Sequence, residues 1–223
     1  MHKTECSQIY LTIPLSLKTK DFVEQLKQIL DRFDIACLRL NAIKKDDDKA
    51  EKLNHIINQY RDLAHANNIP VLVTDNIHIA KINHLNGVHL ETELNKIRWA
   101  RRQLGKDANI GALCGLSRHK GLIAAESGAD YISFNTSKAK SQNHNNETPT
   151  LALFQWWSEV IEIPVVAEAG LSLKEVEQLA PFTDFFVFGD EIWYSDNPII
   201  ELAKRIDIIE KGHALTGKSI CLA

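Results

Sequence analysis

The stretch VLVTDNIHIAKINHLNGVHLETEL, residues 71–94, holds two short apolar runs, VLV and GVHL, on either side of a segment with helical spacing. Short runs rich in β-branched residues read as strands, and apolar side chains three and four apart read as one face of a helix. Each run ends in polar residues: Thr74-Asp75-Asn76 after the first, Glu91-Thr92-Glu93 after the second. Those ends are either a metal and phosphate site or helix caps at the ends of two buried strands, and the fold decides between them.

The same unit fills the chain. Apolar runs recur at Ile9–Ile13, Ala36–Leu40, Val71–Val73, Gly87–Leu90, Asn109–Ala112, Tyr131–Phe134, Pro164–Ala167 and Phe185–Phe188, eight in all. Helical spacing occupies Asp21–Arg32, Asp47–Asn67, Ile77–Leu85, Leu94–Leu104, Ser117–Ser127, Leu151–Ile161, Leu173–Leu179 and Pro198–Ile209. Asn68-Ile69-Pro70 and Glu162-Ile163-Pro164 stop helices, Gly105 and Gly128 sit at helix ends, and Ser172-Leu173-Lys174-Glu175 reads as a capping box. An open doubly wound sheet more often has roughly five to seven strands. Strict alternation of eight β-α units therefore predicts an α/β fold, a single-domain (β/α)8 TIM barrel spanning residues 1–223. The polar run NTSKAKSQNHNNETP, 135–149, cannot pack a core and is expected to be a mobile, lid-like loop; the tail 212–223 is expected to fray or to cover a barrel end.

Composition bounds the partners. With 223 residues, 44% apolar and 25% charged, the chain is long enough for one large soluble domain with a substantial core. A net charge of -3 gives no electrostatic reason to expect nucleic acid, so a phosphorylated ligand needs a local positive site. Cys6, Cys37, Cys114 and Cys221 are scattered without C-x-x-C spacing and indicate neither a zinc site nor a disulfide framework. The expectations are a reducing cytoplasm and, from the lack of a long apolar run, no signal peptide and no membrane span.

In such barrels the active site lies at the C-terminal ends of the strands. Position alone marks Arg39, Asn41, Asp75, Asn76, His89, Glu91 and Glu93, then Glu168, Gly170, Gly189, Asp190 and Glu191.

Several of these strand ends carry a resemblance. IYLTIP is similar to the first strand of thiamine phosphate synthase and its thiazole tautomerase relatives, GVHL to the fourth, GADYISF to the sixth, and PVVAEAGL to the seventh-strand phosphate loop. The motifs are individually modest, and they occur in order, at family spacing, over almost the whole chain. The resemblance implies a TIM barrel with a magnesium-dependent site for a pyrimidine diphosphate, small phosphorylated pyrimidine and thiazole substrates, and a homo-oligomer as an option.

Carried over residue by residue, the resemblance gives a mixed site. The family's Q-L-R-x-K after strand two reads Cys37-Leu38-Arg39-Leu40-Asn41, so the diphosphate arginine is present and the lysine is Asn41. Its N-D after strand three reads Thr74-Asp75, which keeps a magnesium carboxylate, while the second magnesium aspartate falls on Leu94, with Glu91 and Glu93 as replacements if the loop turns inward. The paired glycines after strand seven read Ala169-Gly170, and the turn after strand eight reads Phe188-Gly189-Asp190-Glu191. Amides there can cup an anion. Acids alongside repel it, at roughly 4 kcal/mol for unit charges about 4 Å apart with an effective dielectric near 20. The phosphate clamp after strand six is reduced to Thr136-Ser137-Lys138, and the serine after strand five has no clear counterpart across Leu113-Cys114-Gly115.

The expected assignments are then catalytic Arg39, His89 and His119; phosphate-binding Arg39, Asn41, Thr74, Lys138, Gly170 and Gly189; and magnesium-binding Asp75, Glu91 and Glu93. Each has a structural counterpart. Asp75 is also a good cap for a helix starting at Ile77, Glu91 and Glu93 a solvated turn, Asp190 a cap pointing away, and Lys138 a surface lysine. His89 is also a hydrogen-bonded core histidine, His119 an exposed helix-start residue, Cys37 and Cys114 inert buried thiols, and Trp156-Trp157 a helix-packing or subunit contact. The expected activity is thiamine phosphate synthesis: the nitrogen of a thiazole phosphate displaces diphosphate from a pyrimidinylmethyl diphosphate. Its rivals are a thiazole tautomerase with His119 or His89 as base, and a non-catalytic barrel whose acidic mouth holds a cationic ligand.

Overall fold

The computed structural model describes residues 6–14, 20–41, 50–91, 94–135, 149–168 and 170–214. Eight parallel strands close in sequence order into a barrel: β1 (Gln8–Ile13), β2 (Ile35–Leu40), β3 (Val71–Thr74), β4 (Gly87–Leu90), β5 (Asn109–Leu113), β6 (Tyr131–Asn135), β7 (Val165–Glu168) and β8 (Phe185–Phe188), with β1 pairing β8. The helices between them are α1 (Lys20–Arg32), α2 (Ala50–Ala66), α3 (Ile77–Ile82), α4 (Ile97–Leu104), α5 (Arg118–Glu126), α6 (Pro149–Val160) and α7 (Leu173–Leu179). After β8 come a short α8 (Asp190–Trp193) and the long α9 (Pro198–Ala214).

Strand side chains alternate between two faces, and here the two faces have separate fates. Ile9, Leu11, Ile13, Leu38, Leu40, Val71, Val73 and Val88 join helix residues such as Leu26, Ile29 and Ile57 in the main core. Their neighbours Tyr10, Cys37, Leu72, Val166 and Val187 form a smaller cluster inside the barrel. Two residues further along the same strands the inward positions become polar: Thr12, Arg39, Thr74 and Glu168, with Ser133 two beyond Tyr131, all buried. An apolar plug therefore supports a polar floor that faces the C-terminal end.

Local chemistry sets the helix boundaries. Ser117 caps α5 by accepting the Lys120 amide, and Ser172 and Glu175 form the capping box of α7. Gly105 ends α4 with φ 95°, a conformation that costs a residue with a Cβ. Trp157 is fully buried, its indole N–H donates to the Ile163 carbonyl at 2.9 Å, and its ring meets Phe134 at 5.2 Å between centroids. Truncating such a residue typically costs about 3–5 kcal/mol. Trp156 lies under the Arg118 guanidinium, 4.6 Å from it.

The structure departs from the sequence expectations in three places. The segment 94–104 opens as a 3-10 turn, Leu94–Lys96, before α4 begins. At four residues α8 is too short for periodicity to signal, and α9 runs on to Ala214, into the segment expected to fray. Cys6 is disulfide-bonded, against the expectation of no disulfide, while Cys37 and Cys114 are free and buried. The rest of the tail and the expected lid, apart from Asn135 and Pro149, lie outside the described residues. No described helix is long and apolar enough to cross a membrane.

Candidate functional site

A cavity of about 700 Å³ opens at the C-terminal ends of the strands, floored by Thr12, Arg39, Thr74 and Glu168 and rimmed by Asn41, Glu91, Gly170, Gly189, Asp190 and Glu191. It has the size of a small-molecule site. Among its described lining residues one guanidinium faces four carboxylates: Glu91, Glu168, Asp190 and Glu191.

Arg39 and Glu168 form a buried two-point pair. Arg39 Nη1 donates to Glu168 Oε2 at 3.3 Å and Nη2 donates to Oε1. Ser133 Oγ donates to Oε2 as well. Arg39 Nη2 lies 3.8 Å from Glu91 Oε1, and the guanidinium carbon is 5.5 Å from the centre of the Tyr10 ring. Burial alone would raise the Glu168 carboxyl, but the Arg39 charge, His89 and the hydrogen bonds outweigh it and hold Glu168 well below the usual carboxylate range. Burial would likewise lower Arg39, and Glu168 reverses that. Both groups are ionised at neutral pH. The Arg39 Nε–H, buried in the cavity floor, has no hydrogen-bond partner among the described residues.

A line of polar side chains runs from this pair into the barrel. His89 Nε2 lies 3.4 Å from Glu168 Oε2, His89 Nδ1 is 2.9 Å from the Tyr131 hydroxyl, and that hydroxyl is 2.9 Å from the Tyr10 hydroxyl. Burial and then the Arg39 charge push the His89 imidazole below its ordinary value, so it is neutral at pH 7 and carries one proton. Nε2 makes no hydrogen bond among the described residues, but the ionised Glu168 oxygen 3.4 Å away favours the proton on that nitrogen. Nδ1 then accepts from Tyr131, and Tyr131 from Tyr10. The stacked Tyr131 and His89 rings sit 5.6 Å apart at 15°, and Gly111 makes room, since a side-chain carbon there would collide with the Tyr131 ring.

At the ends of β3 and β4 the two readings of the polar residues separate. Asn76, not Asp75, caps α3, accepting the Ile79 amide at 2.9 Å. Asp75 instead accepts the Glu91 backbone N–H on Oδ1 at 2.8 Å, from a φ of 52°. That bond ties the Asp75 carboxylate to the Glu91 backbone; Glu91 lines the cavity, and Asp75 is not among the described residues that do. Burial pushes the Glu91 carboxyl up, with Arg39 opposing and Glu168 and Asp75 adding to the rise.

His89, Glu91 and Glu168 also offer ligand atoms within 4.8 Å of one another. The inner half of that group does not suit magnesium: Glu168 is already neutralised by Arg39, and an imidazole nitrogen is a poor partner for a hard cation. Within that group Glu91 is the carboxylate left to a hard cation; Asp75, whose Oδ1 accepts the Glu91 amide, is not part of it.

The ends of β7 and β8 are closed by the chain's own carboxylates. Glu175 Oε2 accepts the Ser172 backbone N–H at 2.8 Å at the start of α7. Glu191 Oε2 accepts the Gly189 backbone N–H at 3.1 Å at the start of α8. Gly189 is packed against β1, and a side-chain carbon there would collide with the Thr12 hydroxyl. Asp190 lines the cavity, so of its two readings the acidic mouth holds and the cap pointing away does not.

Of the sequence-predicted residues, Arg39, Asn41, Thr74, Glu91, Gly170 and Gly189 line one cavity. His89 lies beneath it, bonded as a core histidine. His119 is exposed on the first turn of α5 and is not among the residues lining the cavity. Glu93 and Lys138 lie outside the described residues. The roles of Glu168 as partner of Arg39, and of Ser133, Tyr131 and Tyr10 behind it, were not assigned from sequence. Glu168 was marked by its strand end without its partner, and stepping by two from the apolar plug position Tyr131 would have found Ser133. Burial pushes the Cys37 and Cys114 thiols up to about 12, as inert thiols.

Comparison with known proteins agrees with the geometry. The family model described as thiamine monophosphate synthase matches residues 9–183. The chain is 32% identical over 202 residues to a thiamine-phosphate synthase of Erythrobacter litoralis, covering 88% of this chain and 93% of that one. It is 29% identical over 191 residues to a thiamine-phosphate synthase of Rhodospirillum centenum, covering 85% and 90%. Among solved structures, thiamine phosphate pyrophosphorylase from Pyrococcus furiosus superposes with a TM-score of 0.73 at 19% identity, over 92% of this chain and 96% of that one, which shows the shared fold.

Proposed function

The chain belongs to the thiamine monophosphate synthase family, and from that premise we propose that its barrel mouth joins a pyrimidinylmethyl diphosphate to a thiazole with release of diphosphate. It is a thiamine-phosphate-synthase-like transferase of thiamine biosynthesis. The lone pair of the thiazole ring nitrogen forms the new C–N bond, the C–O bond to diphosphate breaks, and its electron pair leaves with the diphosphate. No proton has to move, so the reaction needs no histidine in the cavity wall.

Such a displacement depends chiefly on matching charge that develops at two places. On the leaving side stands Arg39, the observation that carries this reading: among the described residues it is the cation that lines the cavity, it is held in direction by Glu168, and its buried Nε–H meets no partner among them. Glu91, on the cavity wall, with Asp75 bonded to its backbone behind it, would hold magnesium, which would supply the remaining neutralisation of a diphosphate. On the other side, positive charge grows on the methylene carbon and ends on the thiazolium ring. Asp190 and Glu191 supply fixed negative charge on the cavity wall, which favours that change. The acidic mouth thereby suits the cationic product.

The test is diphosphate release from the pyrimidine donor, with a thiazole acceptor present or absent and with or without magnesium. Release that requires both acceptor and metal, and that falls at least about a hundredfold in Arg39→Met, is expected. Folded protein that releases no diphosphate with any acceptor would remove the transferase reading.

A further inference from the structure

The helices α3 and α4 stand side by side, and Lys81 Nζ of one donates to Gln103 Oε1 of the other at 3.3 Å. Their sequences, IHIAKI and IRWARRQL, hold Lys81, Arg98, Arg101 and Arg102 and no acid. Arg101 is bonded to Asp130 at 2.6 Å, whereas Lys81, Arg98 and Arg102 are exposed, as is Lys106 just past the end of α4. Among these cations two large apolar side chains face solvent, Ile82 at 46% exposure and Trp99 at 41%. The Lys96 ammonium lies 5.8 Å from the centre of the Trp99 ring.

Residues 190–201, which form α8 and the start of α9, carry the opposite charge. They include Asp190, Glu191, Asp196 and Glu201, and no lysine, arginine or histidine. Glu201 is paired with Arg205 at 3.1 Å, which leaves the other three acids to set the sign. This corner also exposes two large apolar side chains, Tyr194 at 62% and Ile200 at 65%. Of the six exposed large apolar side chains among the described residues, four therefore fall in two places of opposite charge. Scattered single ones would need no explanation, but an apolar centre within a polar, charged rim is the anatomy of a protein interface.

The positions of the two faces decide how they can be used. Helices α3 and α4 follow β3 and β4, and α8 follows β8; β4 and β8 are four places apart in a closed ring of eight strands, so the faces lie on opposite sides of the barrel. A two-fold dimer built on either face would set like charges against each other. A contact between unlike faces sets basic against acidic.

We propose that a second copy of this chain docks its Tyr194–Ile200 corner on the Ile82–Trp99 face, head to tail. The apolar pairs meet at the centre of the contact, and Arg98 and Arg102 face acids such as Asp196 at its rim. The faces are not equivalent, so each bound copy still offers one of them, and association continues as a chain unless it bends closed into a ring. Charge steers the contact, so it weakens as screening shortens from about 10 Å at 0.1 M salt to about 3 Å at 1 M.

The experiment measures the mass of the purified full chain by sedimentation as its concentration rises to about 100 µM, at about 0.05 M and about 1 M salt. Mass that grows with concentration at low salt and returns to the monomer at high salt is expected. Two variants change exposed residues alone: Arg98→Glu with Trp99→Ser, and Tyr194→Ser with Asp196→Lys. Circular dichroism verifies that each is folded. Each by itself is expected to associate at least about tenfold more weakly than the wild type. Their equimolar mixture is expected to form a one-to-one pair and stop, because each supplies the face that the other lacks. A wild type that stays monomeric at low salt overturns the inference, as does one that associates equally well at high salt. Variants that still associate alone, or a mixture that stays monomeric beside an associating wild type, overturn it too. Vesicles of phosphatidylcholine with phosphatidylglycerol are offered in parallel, and a basic face that binds them in place of a second copy overturns the choice of partner.

Discussion

Replacing Glu168 by leucine removes the hydrogen-bond partner, among the described residues, of a guanidinium that is itself 3% exposed. At the 3.3 Å separation of Arg39 Nη1 and Glu168 Oε2, and with an effective dielectric near 20, the lost attraction is about 5 kcal/mol. The open cavity returns part of the hydration of Arg39, and Glu91 at 3.8 Å offers a weaker substitute. Breaking one side of a buried pair costs roughly 3–5 kcal/mol, so the low end of that range, about 3 kcal/mol, is expected. For a chain of this size each kcal/mol lowers Tm by about 2–4 °C, which gives a fall of roughly 6–12 °C. The double variant Arg39→Met with Glu168→Leu removes both charges and is expected to recover most of the loss. Thermal unfolding followed by circular dichroism at pH 7 measures both. A single variant within about 2 °C of the wild type, or a double variant no better than the single, would refute the view that Arg39 depends on Glu168.

The pH dependence of stability carries a sign that can be checked. His89 is depressed from 6.5 in the folded state, so the unfolded chain binds its proton first and stability falls as pH drops below about 6.5. Glu168 is depressed below 4.5, so its contribution is present above that value and lost in a second stage beneath it, with the raised Glu91 opposing that stage. Each proton taken up preferentially by the unfolded chain costs about 1.4 kcal/mol per pH unit; a urea midpoint that stays flat from pH 7.5 to pH 4 would contradict these directions. Gly111→Ala is expected to destabilise by about 1–3 kcal/mol, because its methyl group meets the Tyr131 ring and pushes it off His89. An alanine variant with an unchanged urea midpoint would show that the ring has room to yield.

The strands were legible because parallel barrel strands are buried on both sides and appear as continuous apolar runs. GVHL and FFVF matched their strands residue for residue. The cap at Ser172 was legible too, since it needs only a residue and its neighbour three positions on, whereas Ser117, counted within a helix, turned out to cap it. Side-chain pairing across the barrel was not. Arg39 and Glu168 are 129 residues apart, and no local pattern in either strand says that one ends on the other. The same holds for Asp75, whose aspartate in front of a helix has the composition of a cap. Only the β3–β4 register shows that Asn76 took the capping role and Asp75 turned to Glu91.

The run of hydroxyls and imidazole from Tyr10 through Tyr131 and His89 to Glu168 also restricts how this barrel can be inherited. It joins strands β1, β6, β4 and β7, and changing any one member leaves a neighbour with an unmet polar atom in a place water cannot easily reach. These four positions are therefore expected to drift together or not at all. A descendant that exchanged them as a set for apolar residues would keep its plug and lose its internal counterion. Arg39 would then be handed back, unclaimed, to whatever anion enters the mouth.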